Sequence, residues 1–242
     1  MRRRPARAHV VDAWYLVLFA LIGPLITLLD TGFAVTVDRD AHFLLLGRLP
    51  LGPQVVAVVL ILVAIDAMNW VSHVGNHRAA PLWRFHALHH SQEDMNVFTT
   101  FRTHPLSHAS YLPALLPALV LGASGTVPAA AVVVYGCLVT LPHANLRWNF
   151  GPLGRVLVSP AYHRLHHANA PVAGLETVNF GFVLVCWDRL AGCAVQPSGR
   201  PPVETGLAGR PVPVEQAGPI VGTVVAQLVQ PFRVHAAMDG RP

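Results

Sequence analysis

Eight histidines fall into three short patches: His73 and His77, then His86, His89 and His90, then His163, His166 and His167. Residues three and four apart on a helix share one face, with Cβ atoms about 5–6 Å apart, so each patch aims its imidazoles in one direction. In the two H-x-x-H-H patches the adjacent pair splits to either side of the first histidine, which lets one patch serve two metals. Imidazole binds metal in its neutral form, and an ordinary pKa near about 6.5 makes that form available at neutral pH. His143, at the end of an apolar run, makes a ninth. Nine such ligands are enough for two metals with open positions. An isolated pair at i, i+4 arises readily by chance, whereas two copies of H-x-x-H-H in one chain carry the metal reading. His9, His42 and His235 stand alone and read as ordinary polar residues. His108 lies near the start of an apolar run, and His104 sits beside Pro105 in a loop with its role undecided.

The residues between the histidines limit the chemistry. A zinc protease would carry a glutamate base inside H-E-x-x-H or H-x-x-E-H. Here the intervening residues are Val74, Gly75 and Asn76, then Ala87 and Leu88, then Arg164 and Leu165. The Glu-x-x-His set of ferritin-like di-iron proteins is missing as well. A histidine-rich, carboxylate-poor set of nitrogen ligands suits iron, and zinc binds the same atoms. Asp66, inside an apolar run two turns before His73, is a costly charge there and therefore a functional candidate. It would either orient a ligand imidazole or cap a helix end.

The elements that must hold these patches read as membrane helices. A hydrophobic content of 53%, a charged content of 12% and a mean hydropathy of +0.47 are wrong for an ordinary soluble protein. All 17 basic residues are arginine, scattered rather than set in a stripe, which argues against nucleic acid as a partner. Cys137, Cys186 and Cys193 form no Cys-x-x-Cys pair and read as buried small apolar residues. Apolar runs at residues 13–29, 51–71, 106–122 and 126–142 approach the roughly 20 residues that a crossing needs. Gly122-Ala-Ser-Gly125 turns the last two into a helical hairpin, and residues 30–40 read as a short polar loop. Arg2, Arg3, Arg4 and Arg7 assign the N-terminus to the cytoplasmic side, and without a small-residue cleavage site the first run is retained. Arg39 and Arg48 in the first external loop weaken that bias. After two and four crossings, all three patches and His143 share one side, as a common metal site requires. The expected fold is therefore all-α: an integral membrane protein with about four transmembrane helices and a cytoplasmic, helical, histidine-rich metal domain. It reads as a single unit over residues 1–242, with the histidine region at about 66–193 and a tail at 194–242. The run 220–232 is either an amphipathic surface helix or part of that domain's packing.

The ordered series H-x-x-x-H, H-x-x-H-H, H-x-x-H-H resembles the fatty acid hydroxylase/sterol desaturase superfamily. The likeness extends to Leu82-Trp-Arg-Phe-His-Ala-Leu-His-His90, Asn96, Arg102-Thr-His-Pro105, His143-Ala-Asn145 and Gly151-Pro-Leu153. It continues through Ser159-Pro-Ala-Tyr-His-Arg-Leu-His-His167, Asn179-Phe-Gly181, Trp187-Asp-Arg-Leu190 and Gln227-Leu-Val-Gln-Pro-Phe232. Coverage is roughly residues 66–232. Departures are Val74 where the family commonly has arginine, Trp70-Val71 in place of an aromatic pair, and Cys193 after Gly192.

The resemblance implies ligands from all three boxes together with His143, holding two iron ions. It implies a membrane-bound, O₂-dependent lipid hydroxylase or desaturase that oxidises a C–H bond of a fatty acyl, sterol or related lipid drawn from the bilayer. Electrons would come from a separate donor protein of ferredoxin or cytochrome type, in a cell inner membrane or endoplasmic reticulum type of location. Asn145, Asn179 and Asp188 in the matching blocks, with Asp66 and His104, are candidates to support the ligands, and Arg102 is a candidate for a polar head group. Two rivals stay open at this point. A zinc-dependent membrane hydrolase or isomerase would act without O₂ or reductant, and a non-catalytic metal- or lipid-binding membrane protein would leave its lipid unchanged.

Overall fold

The computed structural model describes residues 5–38, 50–117, 126–197, 203–208, 212 and 219–233. Their regular elements are helical, and the described residues contain no β-strand, only isolated bridges such as Leu157 with Leu184. Helix α1 spans Pro5–Asp38 and α2 Leu51–Arg78. The stretch of α1 from Arg7 to Leu25 and the whole of α2 are long and apolar enough to cross a membrane. The expected polar loop at 30–40 is corrected, because α1 continues to Asp38. The intervening Thr31–Val37 are mostly apolar or β-branched with no proline, so nothing there stops the helix. Residues 39 and 40 of that loop lie outside the described residues.

The third apolar run is not an α-helix at its start. Pro105–Leu115 winds as a 3-10 helix, with Pro113 inside it. Proline removes backbone donors, so the tighter winding replaces a regular α-helical ladder. The Gly122 to Gly125 turn lies outside the described residues. Helix α4, Thr126–Thr140, ends in a 3-10 turn at Leu141–His143 that delivers His143. Two spans thus meet the criteria of length and apolarity among the described residues, with a shorter apolar helix at Val133–His143.

The histidine helices pack against these long elements. A single extended residue, Ala79, separates α2 from α3 (Ala80–His90), and Pro81 in the first turn of α3 favours its start. The chain folds back there, so α2 packs on α3 as well as on α4 and the 105–115 segment. Helix α5 covers Pro160–His166, with Ser159 Oγ accepting from Tyr162 N at 3.2 Å as its N-cap and His167 at its C-terminal end. Two further helices follow among the described residues, α6 at Cys186–Leu190 and α7 at Ile220–Arg233.

Helix α1 buttresses the second histidine patch. Val11 and Tyr15 are buried against Ala87 and Leu88 of α3, with Leu228 of α7 packed on the same cluster. Beneath them lies a polar hub that is fully buried. Asp12 pairs with Arg102 at 2.9 Å and accepts from Gln92, Asn96 and Thr99 at 2.8–2.9 Å. Gln227 of α7 accepts from Tyr15 OH at 2.9 Å, so the 220–232 run is packed into the domain through polar contacts. Its Val221, Val225 and Phe232 remain exposed. The cysteines are also corrected. Cys137 and Cys186 are exposed and Cys193 is half-buried, because the first two lie on outward faces of α4 and α6.

Candidate metal centre

All nine histidines of the expected set are buried, and they gather into two groups. His73, His77, His86, His90 and His166 form one, and His89, His143, His163 and His167 form the other. Within each, one ring nitrogen per residue lies within 4.8 Å of all the others. The division follows helix geometry. The i, i+4 pairs His73/His77, His86/His90 and His163/His167 each stay together, whereas the i+3 members His89 and His166 cross to the other group. The groups abut, with the His90 and His167 rings stacked at 4.3 Å.

The ring contacts fit cations better than a hydrogen-bonded core. His143 Nε2 is 3.1 Å from His89 Nε2 and 3.0 Å from His163 Nε2, and His163 Nε2 is 3.2 Å from His167 Nε2. Such nitrogen spacings are those of neighbouring ligands around one cation about 2.1 Å from each. In the five-membered group His73 Nε2, His166 Nε2 and both nitrogens of His77 are buried without a hydrogen-bond partner. Buried polar atoms are otherwise nearly always paired, so these unmade contacts mark a site for a ligand. Burial, with neighbouring imidazoles second, holds His86, His89, His90, His163 and His167 well below the usual histidine range. The rings are therefore neutral and ready to bind metal at neutral pH.

Two backbone carbonyls set the tautomers. His73 Nδ1 lies 2.8 Å from the Phe180 carbonyl and His166 Nδ1 2.8 Å from the Val178 carbonyl. A carbonyl only accepts, so each Nδ1 carries the proton and each Nε2 keeps a lone pair that could bind a metal. The 178–181 segment that supplies these carbonyls is held in turn. Asn179 adopts φ +59°, a left-handed conformation that asparagine tolerates better than most residues. Its amide donates to the Tyr162 and Val195 carbonyls at 2.9 Å and accepts from Val195 N at 2.7 Å. Asp188 accepts from Trp70 Nε1 at 2.8 Å and from Tyr162 OH, Phe180 N and Gly181 N at 2.9 Å. A Cβ on Gly181 would stand 2.8 Å from the Leu184 carbonyl, so only glycine fits this crossing. Asp66 does not meet an imidazole. It accepts from Val183 N, Leu184 N and Trp187 Nε1 at 2.8–3.1 Å and from Tyr135 OH at 3.2 Å, tying the closing loop to α2.

The remaining candidates lie elsewhere. Arg102 is spent on Asp12 and on Ser91 Oγ at 3.1 Å, fully buried, and is not on the cavity wall described below. Asn145 is exposed and accepts from Arg164 at 2.8 Å. His104 is outside both groups, its Nδ1 accepting from Leu106 N and its Nε2 meeting the Leu228 carbonyl, both at 3.1 Å. Sequence reasoning missed Asp12, which stands just before the apolar run of residues 13–29. It also missed the Phe180 and Val178 carbonyls, which have no signature in a sequence.

A cavity of about 410 Å³ touches both groups. His73 and His86 of one and His89, His143 and His163 of the other face it, together with Leu18, Phe19 and Ile22 of α1, Val139 of α4, and Tyr111 and Phe182. Its size suits an organic ligand and its wall is mostly apolar. Phe19, on this wall and within the apolar stretch of α1, is also 41% exposed, and its ring meets Phe101 at 5.7 Å, tilted by 54°.

Comparison with known proteins agrees with this geometry. Residues 58–193 match the family model for fatty acid hydroxylase. An ornithine lipid hydroxylase of Rhizobium tropici is 32% identical over 181 residues, 74% of this chain and 51% of that protein. Alkylglycerol monooxygenases of Caenorhabditis elegans and Homo sapiens are 28% and 29% identical, over 52% and 53% of this chain and 24% and 28% of theirs. The chain thus spans about half the length of the first of these relatives and less of the others. No solved structure matches. With more than half of its residues matched by the family model, the chain belongs to the fatty acid hydroxylase family.

Proposed function

We propose that this protein is a membrane-bound di-iron oxidoreductase that uses O₂ to hydroxylate or desaturate a lipid. The observation that carries this reading is two buried all-imidazole groups opening on one apolar cavity. Two iron ions held by the nine histidines would supply the O₂ activation and electron transfer that breaking an unactivated C–H bond requires. Everything else is the work of the chain. The Phe180 and Val178 carbonyls keep His73 and His166 in the ligating tautomer, and Asp188 and Asn179 hold the segment that presents those carbonyls. Apolar walls exclude water and seat a lipid chain, and Phe19 lies where a chain would enter sideways from hydrocarbon. In this reading the whole chain acts as one unit with four crossings. Its histidine groups lie on the cytoplasmic side, within reach of a separate ferredoxin- or cytochrome-type donor.

The test is metal content and O₂ dependence measured on detergent-purified protein beside a His89→Ala, His166→Ala double variant, which strikes both groups. About two irons per chain are expected, with O₂- and reductant-dependent gain of oxygen or loss of two hydrogens in lipid extracts, both abolished in the variant. Tightly held zinc, with lipid turnover indifferent to O₂ and reductant, would overturn the proposal in favour of a zinc hydrolase.

A further inference from the structure

One wall of the cavity is polar. It is built by the segment that follows the second histidine patch and includes Thr100, Thr103, His104, Ser107 and His108. Several of these groups are already engaged: Thr100 Oγ1 with the Thr140 carbonyl at 3.5 Å, and both nitrogens of His104 with backbone. Ser107 differs. It is only 7% exposed, its N–H donates to the His104 carbonyl at 2.8 Å, and its carbonyl accepts from Ser110 Oγ at 2.7 Å. The residue lines the cavity, and its buried hydroxyl has no partner. A buried hydroxyl left unpaired is unfavourable, and a ligand oxygen in the cavity would complete it.

The charge of the wall says what kind of oxygen. Among the described residues that line the cavity there is no Asp, Glu, Lys or Arg, and the nearby Arg102 is occupied by Asp12. In the metal-free chain a carboxylate drawn inside would lose its hydration without gaining a cation. We propose that Ser107 Oγ binds a neutral oxygen of the substrate, an ether, ester or amide carbonyl, or hydroxyl. The metal-free cavity then takes chains of linked lipids in preference to free fatty acids. This inference rests on the cavity being the lipid site of the reading above.

The experiment measures binding to the metal-free full chain in detergent, so that it does not depend on turnover. Brominated analogues of hexadecyl glyceryl ether, palmitate and hexadecane are titrated by quenching of protein fluorescence. The ether should bind about tenfold tighter than ionised palmitate, and Ser107→Ala should weaken the ether about tenfold while leaving hexadecane unchanged. Ser107→Thr, which keeps the hydroxyl, should retain the preference. Because the hydroxyl has no partner in the protein, Ser107→Ala should not lower the melting temperature. The proposal is overturned if Ser107→Ala leaves the ether-to-hexadecane ratio intact, if palmitate matches the ether, or if none of the three binds. Selective binding without O₂-dependent oxidation would instead count against the oxidoreductase reading alone.

Discussion

Replacing Asp188 by asparagine tests whether the closing segment governs the metal groups. Oδ1 accepts from Trp70 Nε1 and Phe180 N, and Oδ2 from Tyr162 OH and Gly181 N. An amide offers one acceptor oxygen and one NH₂. With the NH₂ in place of Oδ1, two donors that cannot turn round, an indole and a backbone N–H, are left facing it. With the NH₂ in place of Oδ2, the Tyr162 hydroxyl can rotate to accept, and only Gly181 N is orphaned. The second arrangement is the cheaper. One orphaned N–H costs about 1–3 kcal/mol, and the surviving bonds lose their charge assistance, so the whole comes to about 3–5 kcal/mol. That is a large part of an ordinary domain's stability of about 5–15 kcal/mol. The Phe180 carbonyl shares one planar peptide with the orphaned Gly181 N–H and moves with it, so His73 loses its orienting acceptor, and the five-histidine group should lose about 10–100-fold in metal affinity. Thermal unfolding in detergent and metal titration of the stripped protein measure the two effects, with Asn145→Ala as a control expected within about 0.5 kcal/mol of wild type. An Asp188→Asn protein that melts and binds metal like the control would refute this account of the site.

Two further outcomes are expected. His89→Ala and His90→Ala, though adjacent, should each remove a different ion and leave about one per chain. Adding His163→Ala to His89→Ala should then take away nothing more, whereas adding His166→Ala should remove the second; loss of both ions from the His89, His163 pair would break the assignment. The metal-free chain should also be acid-labile. The buried imidazoles of α3 and α5 have pKa values below their unfolded value of about 6.5, so below that pH the unfolded chain binds more protons than the folded one. Their contribution is complete above about pH 6.5 and is lost as pH falls, at up to about 1.4 kcal/mol per pH unit for each group. A melting temperature that holds steady or rises between about pH 6.5 and 5 would contradict this burial.

The sequence by itself picked out the nine histidines that the fold gathers, because side-chain direction along a helix depends on residue type and periodicity, both local. The i, i+4 and i+3 spacings were enough to show that adjacent histidines such as His89 and His90 would part company, and they enter different groups. The first two apolar runs likewise foretold long helices, since that needs only length and composition. What the tertiary structure alone decided were contacts between segments far apart in the chain. Which carbonyl faces which imidazole depends on the path of residues 178–181 across α2 and α5, fixed by Asp188 and by glycine at 181. Asp66 stood in the right part of the chain to orient a ligand, yet its carboxylate meets donors more than a hundred residues away and no imidazole. Arg102, plausible from sequence as a head-group contact, is neutralised by Asp12 of α1, a partner 90 residues distant that no local pattern announces. Spacing fixes which groups can point together, but a buried charge is settled by whatever partner the packed chain brings to it.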